Sequence, residues 1–161
     1  MLKPSFPRSF WLWLLVSAVV LVLDQTTKYA ITQSLVRGEH IVITSFFNLV
    51  LAFNQGAAFS FLSDAGGWQR WFFSGIAAGA SVLIVYLLRK HAAEKLFCAA
   101  LSFILGGALG NLWDRITLGH VVDFLDFYFG GHHWPAFNLA DSVIFIGAAL
   151  LILDSFGKKE K

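Results

Sequence analysis

Two stretches of eighteen residues, 71–88 and 96–113, contain no charged side chain and constrain this chain more than any other feature of its sequence. Eighteen residues of α-helix measure about 27 Å, close to the thickness of the hydrocarbon core of a bilayer. Residues 9–23 and 142–153 form two further apolar runs, which extend forward to residue 30 and backward to residue 137. The pattern predicts four membrane spans.

The composition points to the same class. The chain is 57% hydrophobic and 14% charged over 161 residues, whereas soluble domains carry about 25% charged residues. A chain of this length normally forms one domain. We therefore expect an all-α membrane protein with no nucleic-acid partner, a single domain over residues 1–161 with four transmembrane helices. The helices are expected at about residues 10–30, 68–88, 94–113 and 137–156.

Positive charges are concentrated on one side of this four-span topology. Eight of the twelve lysine and arginine residues fall there, and the positive-inside rule assigns that side to the cytoplasm. We expect both termini to be cytoplasmic, with residues 31–70 and 114–136 facing outward. The eight residues are Lys3, Arg8, Arg89, Lys90, Lys95, Lys158, Lys159 and Lys161.

The first apolar run could instead be a cleavable signal peptide, since it follows a basic start and has a suitable length. Polar residues 24–28 stand where a small-residue cleavage site would be required. A retained first helix is therefore favoured. Cys98 is the single cysteine, which excludes an internal disulfide and favours the role of a small apolar filler.

Residues 39–61 differ from the apolar runs around them. Residues 39–44 are rich in β-branched side chains, which predicts a strand, and residues 46–53 continue as an apolar and aromatic segment. This stretch is too short to span a membrane, so we expect a small sheet on the outer membrane surface that satisfies its own backbone. Residues 116–136 are predicted to form an outward connection, and Asn138 is expected to cap the fourth helix.

Carboxylates beside the apolar runs are the candidate functional residues, because a charge at the centre of a membrane helix costs about 2.5–3.5 kcal/mol on insertion scales. Asp24 and Lys28 are four residues apart and are expected to pair on one helical face. Asp123 is expected in or just beyond the end of the third helix, and Asp141 in the first turn of the fourth. If these two acids meet, they can share one proton, and the helix N-terminus favours the ionised form of Asp141.

These residues resemble those of the bacterial lipoprotein signal peptidases, also called signal peptidase II. The resemblance covers nearly the whole chain, and its motifs together are specific although each alone is weak. The family fold is a four-helix bundle with a small outward-facing β-cradle and a short outward helical segment. The motifs are Asp24 with Lys28, residues 54–59 (Asn-Gln-Gly-Ala-Ala-Phe), residues 110–124 and residues 137–141 (Phe-Asn-Leu-Ala-Asp).

The resemblance implies an aspartyl endopeptidase of the bacterial cytoplasmic (inner) membrane, with its site near the outer face. It would remove the signal peptide from a diacylglyceryl-modified prolipoprotein just before the lipid-bearing cysteine, without a metal or other cofactor. Further partners would be membrane phospholipid and cyclic lipopeptide inhibitors such as globomycin. Asp123 and Asp141 take the catalytic positions. The expected substrate-binding or supporting residues are Asp24, Lys28, Asn54, Gly56, Asn111, Asp114, Arg115, Asn138 and Ala140.

The expected chemistry needs no covalent intermediate. An ionised carboxylate takes a proton from a water lodged between the two acids, and this water attacks the scissile carbonyl while the protonated carboxyl donates to the carbonyl oxygen. Arg115 could hold substrate carbonyls. Asn138 could donate a hydrogen bond that orients Asp141, or only cap its helix.

Asp114 and Asp126 compete with Asp123 for the first catalytic position. Asp114 adjoins Arg115, which favours a structural ion pair or a capping role. Asp126 lies outside the family pattern, and an acid so near would raise the pKa of a neighbouring carboxyl. The motif match selects Asp123.

Four other interpretations of the polar residues compete with this one. His120, His132 and His133 invite a metal site, but their spacing fits no tight ligand motif. A serine–lysine protease would need a free base, and Lys28 is expected to be paired. A small transporter or proton-coupled carrier would also use intramembrane acids, but no inverted repeat is visible. A purely structural subunit would not concentrate Asp, Asn and Arg at one end.

Overall fold

The computed structural model describes residues 7–56 and 66–159. Within these residues, four helices are long and apolar enough to cross a membrane. These helices and a small antiparallel sheet confirm the predicted fold, a helical membrane protein with a small β-cradle. The helices are α1 (Arg8–Ser34), α2 (Trp68–Lys90), α3 (Lys95–Thr117) and α4 (Leu139–Lys159).

The central helix is α3, which packs against the other three. Half of its apolar segment is buried, compared with 22% or less in each of the others. A Cβ at Gly107 would lie 2.5 Å from the backbone oxygen of Ala140, so α4 approaches α3 too closely for any side chain at that position. Small residues permit such close crossings between membrane helices. The polar residues at the end of α3 are thereby held against both α1 and α4.

One apolar core joins α1, α2 and α3 at the end of the bundle where α2 turns into α3. Cys98 is fully buried in this core, as expected for an apolar filler, and its thiol donates to the backbone oxygen of His91. The core holds the three helices together at this end, and the polar residues lie at the opposite end of the bundle. Its buried members are Phe10, Ile84, Leu88, Ala92, Cys98, Leu101 and Leu105.

A four-stranded antiparallel sheet, in the order β1-β2-β3-β4, lies at the opposite end of the bundle, which we call the sheet end. The strand predicted at residues 39–44 is present as β1. A second apolar cluster of Ile31, Leu35, Leu51, Val122 and Phe124 joins the sheet to α1. The strands are β1 (His40–Thr44), β2 (Phe47–Asn54), β3 (Val121–Phe129) and β4 (His132–His133).

β3 was not predicted, because the sequence pattern indicates only a connection over residues 116–136. In the structure β3 pairs with β2, placing Asp123 opposite Ala52 and Asp126 opposite Asn48. Asp123 therefore lies on a strand, and not at the end of α3. The short outward helical segment expected from the family fold is not among the elements of residues 7–56 and 66–159.

Candidate active site

Two acids come together at the sheet end, one from the sheet and one from a helix. Asp123 lies on β3 and is 3% exposed, and Asp141 lies in the first turn of α4. A single amide side chain touches both residues. Asn138 Nδ2 donates to Asp123 Oδ1 at 2.7 Å, and Asn138 Oδ1 accepts the backbone N–H of Asp141 at 2.9 Å. The fold thus brings together the two acids that the sequence analysis paired.

The protonation of Asp123 is set by its surroundings. Burial raises the pKa of Asp123 to about 7, and the negative charge of Asp141 contributes to the same shift. Hydrogen bonds from Asn54 Nδ2, at 3.1 Å, and from Asn138 oppose the shift because they favour the charged form. Asp123 can therefore carry a proton near neutral pH, as a general acid must.

Asn111 connects Asp141 to the charged residues of α1. Its Nδ2 donates to Asp141 Oδ1 at 2.8 Å. Its Oδ1 accepts from Lys28 Nζ at 2.9 Å and from Asn138 Nδ2 at 3.2 Å. Both ends of this amide are therefore engaged, and Asp141 receives a hydrogen bond from a side chain that is itself held in place.

Lys28 is the centre of a buried ion cluster between α1 and α3. Its ammonium lies 2.8 Å from Asp24 Oδ2 and 2.9 Å from Asp114 Oδ2, so the predicted pairing of Asp24 with Lys28 is confirmed. Asp114 pairs with Lys28 rather than with the adjacent Arg115, and it accepts the backbone N–H of Val122 at 3.2 Å. Removing one partner of such a cluster would leave an uncompensated buried charge. The cluster therefore fastens α1, α3 and the start of β3 to one another.

Asp24 also binds the start of α4, which no short-range sequence pattern reveals. Its Oδ1 accepts the backbone N–H of Ala140 at 2.9 Å, across a separation of 116 residues. Backbone donors in a first helical turn lack partners within the helix, and negative charge is favourable there. Asn138 accepts the next such N–H, that of Asp141, so its predicted capping role is confirmed. Its Nδ2 donates to Asp123 and to Asn111, and not to the carboxylate of Asp141.

Arg115 connects the turn after β2 to α3. Its guanidinium donates to the backbone oxygen of Gly56 at 3.1 Å and to that of Asn111 at 3.3 Å. Asn54 Oδ1 accepts the N–H of Gly56 at 2.9 Å and holds the same turn. Residues 57–59, which belong to this motif, lie outside the described residues. Arg115 thus brings a positive charge within electrostatic reach of both acids.

Gln25 is a residue of this network that the sequence analysis did not select. Its Nε2 donates to Asp114 Oδ1 at 2.9 Å and to Asp24 Oδ2 and the backbone oxygen of Gly110 at 3.2 Å. The signal for it was its position inside the polar run 24–28, between two residues that were selected. Gln25 supports the ion cluster and makes no hydrogen bond to either acid of the pair among the described residues.

Asp126 belongs to a different cluster. Its carboxylate accepts from Asn48 Nδ2 at 3.0 Å and lies 2.9 Å from His133 Nδ1. Side chains alternate along a strand, so residues three apart point to opposite faces of the sheet. Asp126 consequently faces away from Asp123, and the two form no shared carboxylate pair.

Two of the three histidines considered as metal ligands make separate contacts. His120 packs against Phe53 with ring centroids 4.3 Å apart and the rings tilted, and burial lowers the pKa of His120. His133 stacks on Tyr128 and contacts Asp126. Within residues 7–56 and 66–159, no group of three or more His, Cys, Asp or Glu side chains is arranged to hold a metal ion.

A largely apolar groove of about 530 Å³ begins at Asp141 and opens along α4. A larger cavity of about 620 Å³ lies over the other face of the sheet around Asp126, and neither paired acid lines it. The groove is thus a cavity from which a bound molecule could reach Asp141. Its lining residues are Asn54, Trp134, Pro135, Ala136, Phe137, Asp141, Ser142, Phe145 and Ile146.

Comparison with known proteins relates this arrangement to a defined family. A family model described as signal peptidase (SPase) II matches residues 16–157. The chain is 61% identical over 142 residues to the lipoprotein signal peptidase of Ralstonia nicotianae, covering 88% of this chain and 82% of that protein. It is 57% identical over 149 residues to the lipoprotein signal peptidase of a Janthinobacterium species, covering 92% and 90% respectively.

The fold has a similar counterpart among solved structures. A structure described as a bacterial membrane enzyme superposes with a TM-score of 0.82 at 35% sequence identity. The superposition covers 91% of this chain and 88% of the other. Residues 16–157, which the family model matches, contain both acids, the ion cluster and the groove.

Proposed function

This chain belongs to the signal peptidase II family, and on that premise we propose that it cleaves diacylglyceryl-modified prolipoproteins just before the lipid-bearing cysteine. Members of this family are aspartic endopeptidases that remove signal peptides from prolipoproteins. The observation that carries the proposal is the pair Asp123 and Asp141, linked through Asn138, with Asp141 lining an apolar groove.

The groove suits a substrate that is apolar on both sides of the bond to be cut. Trp134, Phe137 and Phe145 give it aromatic walls, and Asp141 and Asn54 stand at its polar end. An apolar signal segment or an acyl chain can lie along these walls while the peptide bond reaches the acids. A cyclic lipopeptide such as globomycin would compete for the same groove, and membrane phospholipid would contact its open side.

The two acids divide the chemistry between them. Ionised Asp141 removes a proton from a water lying between the carboxyls, and the resulting hydroxide adds to the scissile carbonyl. Protonated Asp123 gives its proton to the carbonyl oxygen, which yields a neutral tetrahedral intermediate. When the C–N bond breaks, Asp141 returns its proton to the leaving amine and Asp123 takes one from a hydroxyl of the intermediate. Each acid therefore ends the cycle in its starting state.

The supporting residues position the substrate and the acids. Arg115 is a cation beside the pair, and we infer that it contacts substrate carbonyls and offsets developing negative charge. Asn54 orients Asp123 by donation to its Oδ2. We place the site at the outer boundary of the cytoplasmic membrane, because the basic side of the sequence is opposite the sheet end.

Cleavage by purified protein tests the assignment of the two acids. Asp123→Asn and Asp141→Asn are each expected to abolish removal of the signal peptide from a diacylglyceryl-modified precursor, since an amide neither accepts the water's proton nor donates one in its place. Product formation is followed by gel mobility and mass spectrometry of the new N-terminus. Full activity of either variant would falsify the dyad.

The matched control is Asp126→Asn, which makes the same chemical change on the same strand but on the opposite face. It is expected to retain cleavage, because Asp126 contacts Asn48 and His133 and not the paired acids. All three variants must first give the same monodisperse, thermally cooperative protein as the wild type. A chelator is expected to leave cleavage unchanged, which addresses the metal interpretation independently.

A further inference from the structure

The orientation of the Asn111 amide is held at its oxygen by the ammonium of Lys28 and by Asn138 Nδ2, which donates to the same atom at 3.2 Å. Lys28 Nζ lies 2.9 Å from Asn111 Oδ1, and an ammonium offers donors but no acceptor. Turning the amide over would place its N–H₂ against the ammonium and its oxygen against the carboxylate of Asp141. Both contacts would be repulsive in a buried site. The Nδ2 of Asn111 therefore points to Asp141 and donates to its Oδ1 at 2.8 Å.

The other members of the ion cluster hold the ammonium of Lys28 in place beside Asn111. Its three donors are used by Asp24 Oδ2, Asp114 Oδ2 and Asn111 Oδ1, all within 2.9 Å. The side chain is 4% exposed, so water does not compete for these donors. The two carboxylates accept two of its three donors, which leaves the third donor to serve the amide.

We propose that Lys28 is a positioning residue of the peptidase, which keeps Asn111 oriented as the donor that stabilises ionised Asp141. This inference rests on the proposed function of the two acids and adds the step by which α1 acts on them. Lys28 touches neither acid of the pair and does not line the groove. Its effect should therefore appear in the turnover number and its pH dependence more than in KM.

The other charged groups around Asp141 must be separated from this effect. They are Asp123 on β3 and Arg115 on α3, together with the charge of Lys28 itself acting through space. A variant that removes only Lys28 would change both the hydrogen bond and the charge balance. The charge-balanced variant Lys28→Met/Asp114→Asn removes one positive and one negative charge together, so the donor is lost without a change in net charge. It also alters the Asp114 contacts to Gln25 and to the N–H of Val122, a change that Lys28→Gln/Asp114→Asn shares.

The test compares pH profiles of kcat for a diacylglyceryl-modified precursor. The double variant Lys28→Met/Asp114→Asn is expected to fold and to bind substrate with similar KM. The acid limb of its profile should move to higher pH by about one unit, since a hydrogen bond to an ionised carboxylate is lost. At pH values below the limb this corresponds to about a tenfold loss of kcat. A folded double variant with the wild-type profile would overturn the proposal.

Two further variants separate a positioning role from a structural one. Gln25→Met removes hydrogen bonds to Asp24 and Asp114 but does not touch Asn111, so its stability should fall and its pH profile should not move. Lys28→Gln/Asp114→Asn keeps a neutral donor at position 28 and is expected to restore the wild-type limb. If the methionine variant does not fold, this glutamine variant keeps the proposal falsifiable, because a displaced limb in a variant that retains the donor overturns it.

Failure of this inference is distinguishable from failure of the proposed function. If the acids are not catalytic, Asp123→Asn and Asp141→Asn remain active whatever happens at position 28. If only the role of Lys28 is wrong, both acid variants are inactive while the charge-balanced variant keeps the wild-type profile.

Discussion

Asn54 and Asn138 both donate to Asp123, and both favour its ionised form, yet burial keeps its pKa near 7. Desolvation is therefore the larger effect, and the two amides moderate it. The consequence is a carboxyl that changes state within the physiological range. The pKa of Asp123, the general acid of the reaction, depends on the opposing effects of burial and hydrogen bonding. Loss of a single amide donor can therefore change it.

The pH dependence of kcat/KM reports this balance in the free enzyme. Activity requires protonated Asp123, so kcat/KM should fall as the pH rises through about 7. Asn54→Ala removes a donor that lowers the pKa of Asp123, so that pKa rises and the alkaline limb should move to higher pH. The expected displacement is about half a unit to one unit, measured with a diacylglyceryl-modified precursor between pH 5 and 9.

The chain offers a matched control for that measurement. Asn48 lies on β2 like Asn54 and donates to an acid on β3, but the acid is Asp126. Asn48→Ala should leave the alkaline limb in place. If the two alanine variants displace the limb equally, the pH dependence does not come from Asp123.

At the scale of elements, glycines on α3 decide how closely α4 can bring Asp141 to Asn111. Gly107 faces the backbone of Ala140, the residue just before Asp141. Gly79 on α2 is also helical, but a Cβ there would meet nothing within 4 Å. The same change at the two positions therefore separates helix packing from intrinsic helix propensity.

Gly107→Ala is expected to destabilise the protein by about 1–3 kcal/mol, the usual cost of overpacking. It should also reduce cleavage, because the start of α4 must shift to admit the new methyl group. Gly79→Ala should leave activity unchanged and keep or raise stability, since alanine is the better helix former. Thermal unfolding in detergent and the cleavage assay measure both effects. Equal melting temperatures for the two variants would contradict this account of the α3–α4 contact.

The sequence predicts the helices well because each span is a continuous local property of the chain. The charge-free run at residues 71–88 needs no partner to identify it, and the capping of α4 by Asn138 is encoded within three residues. Asp24 and Lys28 were paired for the same reason, being one helical turn apart. These features depend on contacts between near neighbours.

Elements that depend on distant partners could not be predicted. β3 is a strand because it pairs with β2 across about seventy residues. Its apolar and polar side chains do not alternate, so the local pattern does not predict a strand. Asp24 contacts the start of α4 across 116 residues. The family motifs identified both Asp24 and Asp123 as important, but only the fold explains how each acts.

At the scale of the whole molecule, the polar site, the sheet and the groove all lie at one end of the helices. The opposite end carries the turn between α2 and α3, beside which the sequence places Arg89, Lys90 and Lys95. A site at one end of a membrane bundle acts on only one side of the membrane. The orientation of the bundle therefore determines which face of the membrane receives the cleaved substrate.

Cysteine labelling can determine this orientation, because Cys98 is the only cysteine and is fully buried. In a Cys98→Ser background, His132→Cys places a thiol at the exposed sheet end and Ala93→Cys places one in the exposed turn between α2 and α3. Because basic loops stay in the cytoplasm, His132→Cys should react with a membrane-impermeant maleimide in spheroplasts. Ala93→Cys should react only after the membrane is permeabilised. The reverse pattern would place the two acids on the cytoplasmic side and would exclude cleavage at the outer boundary of the cytoplasmic membrane.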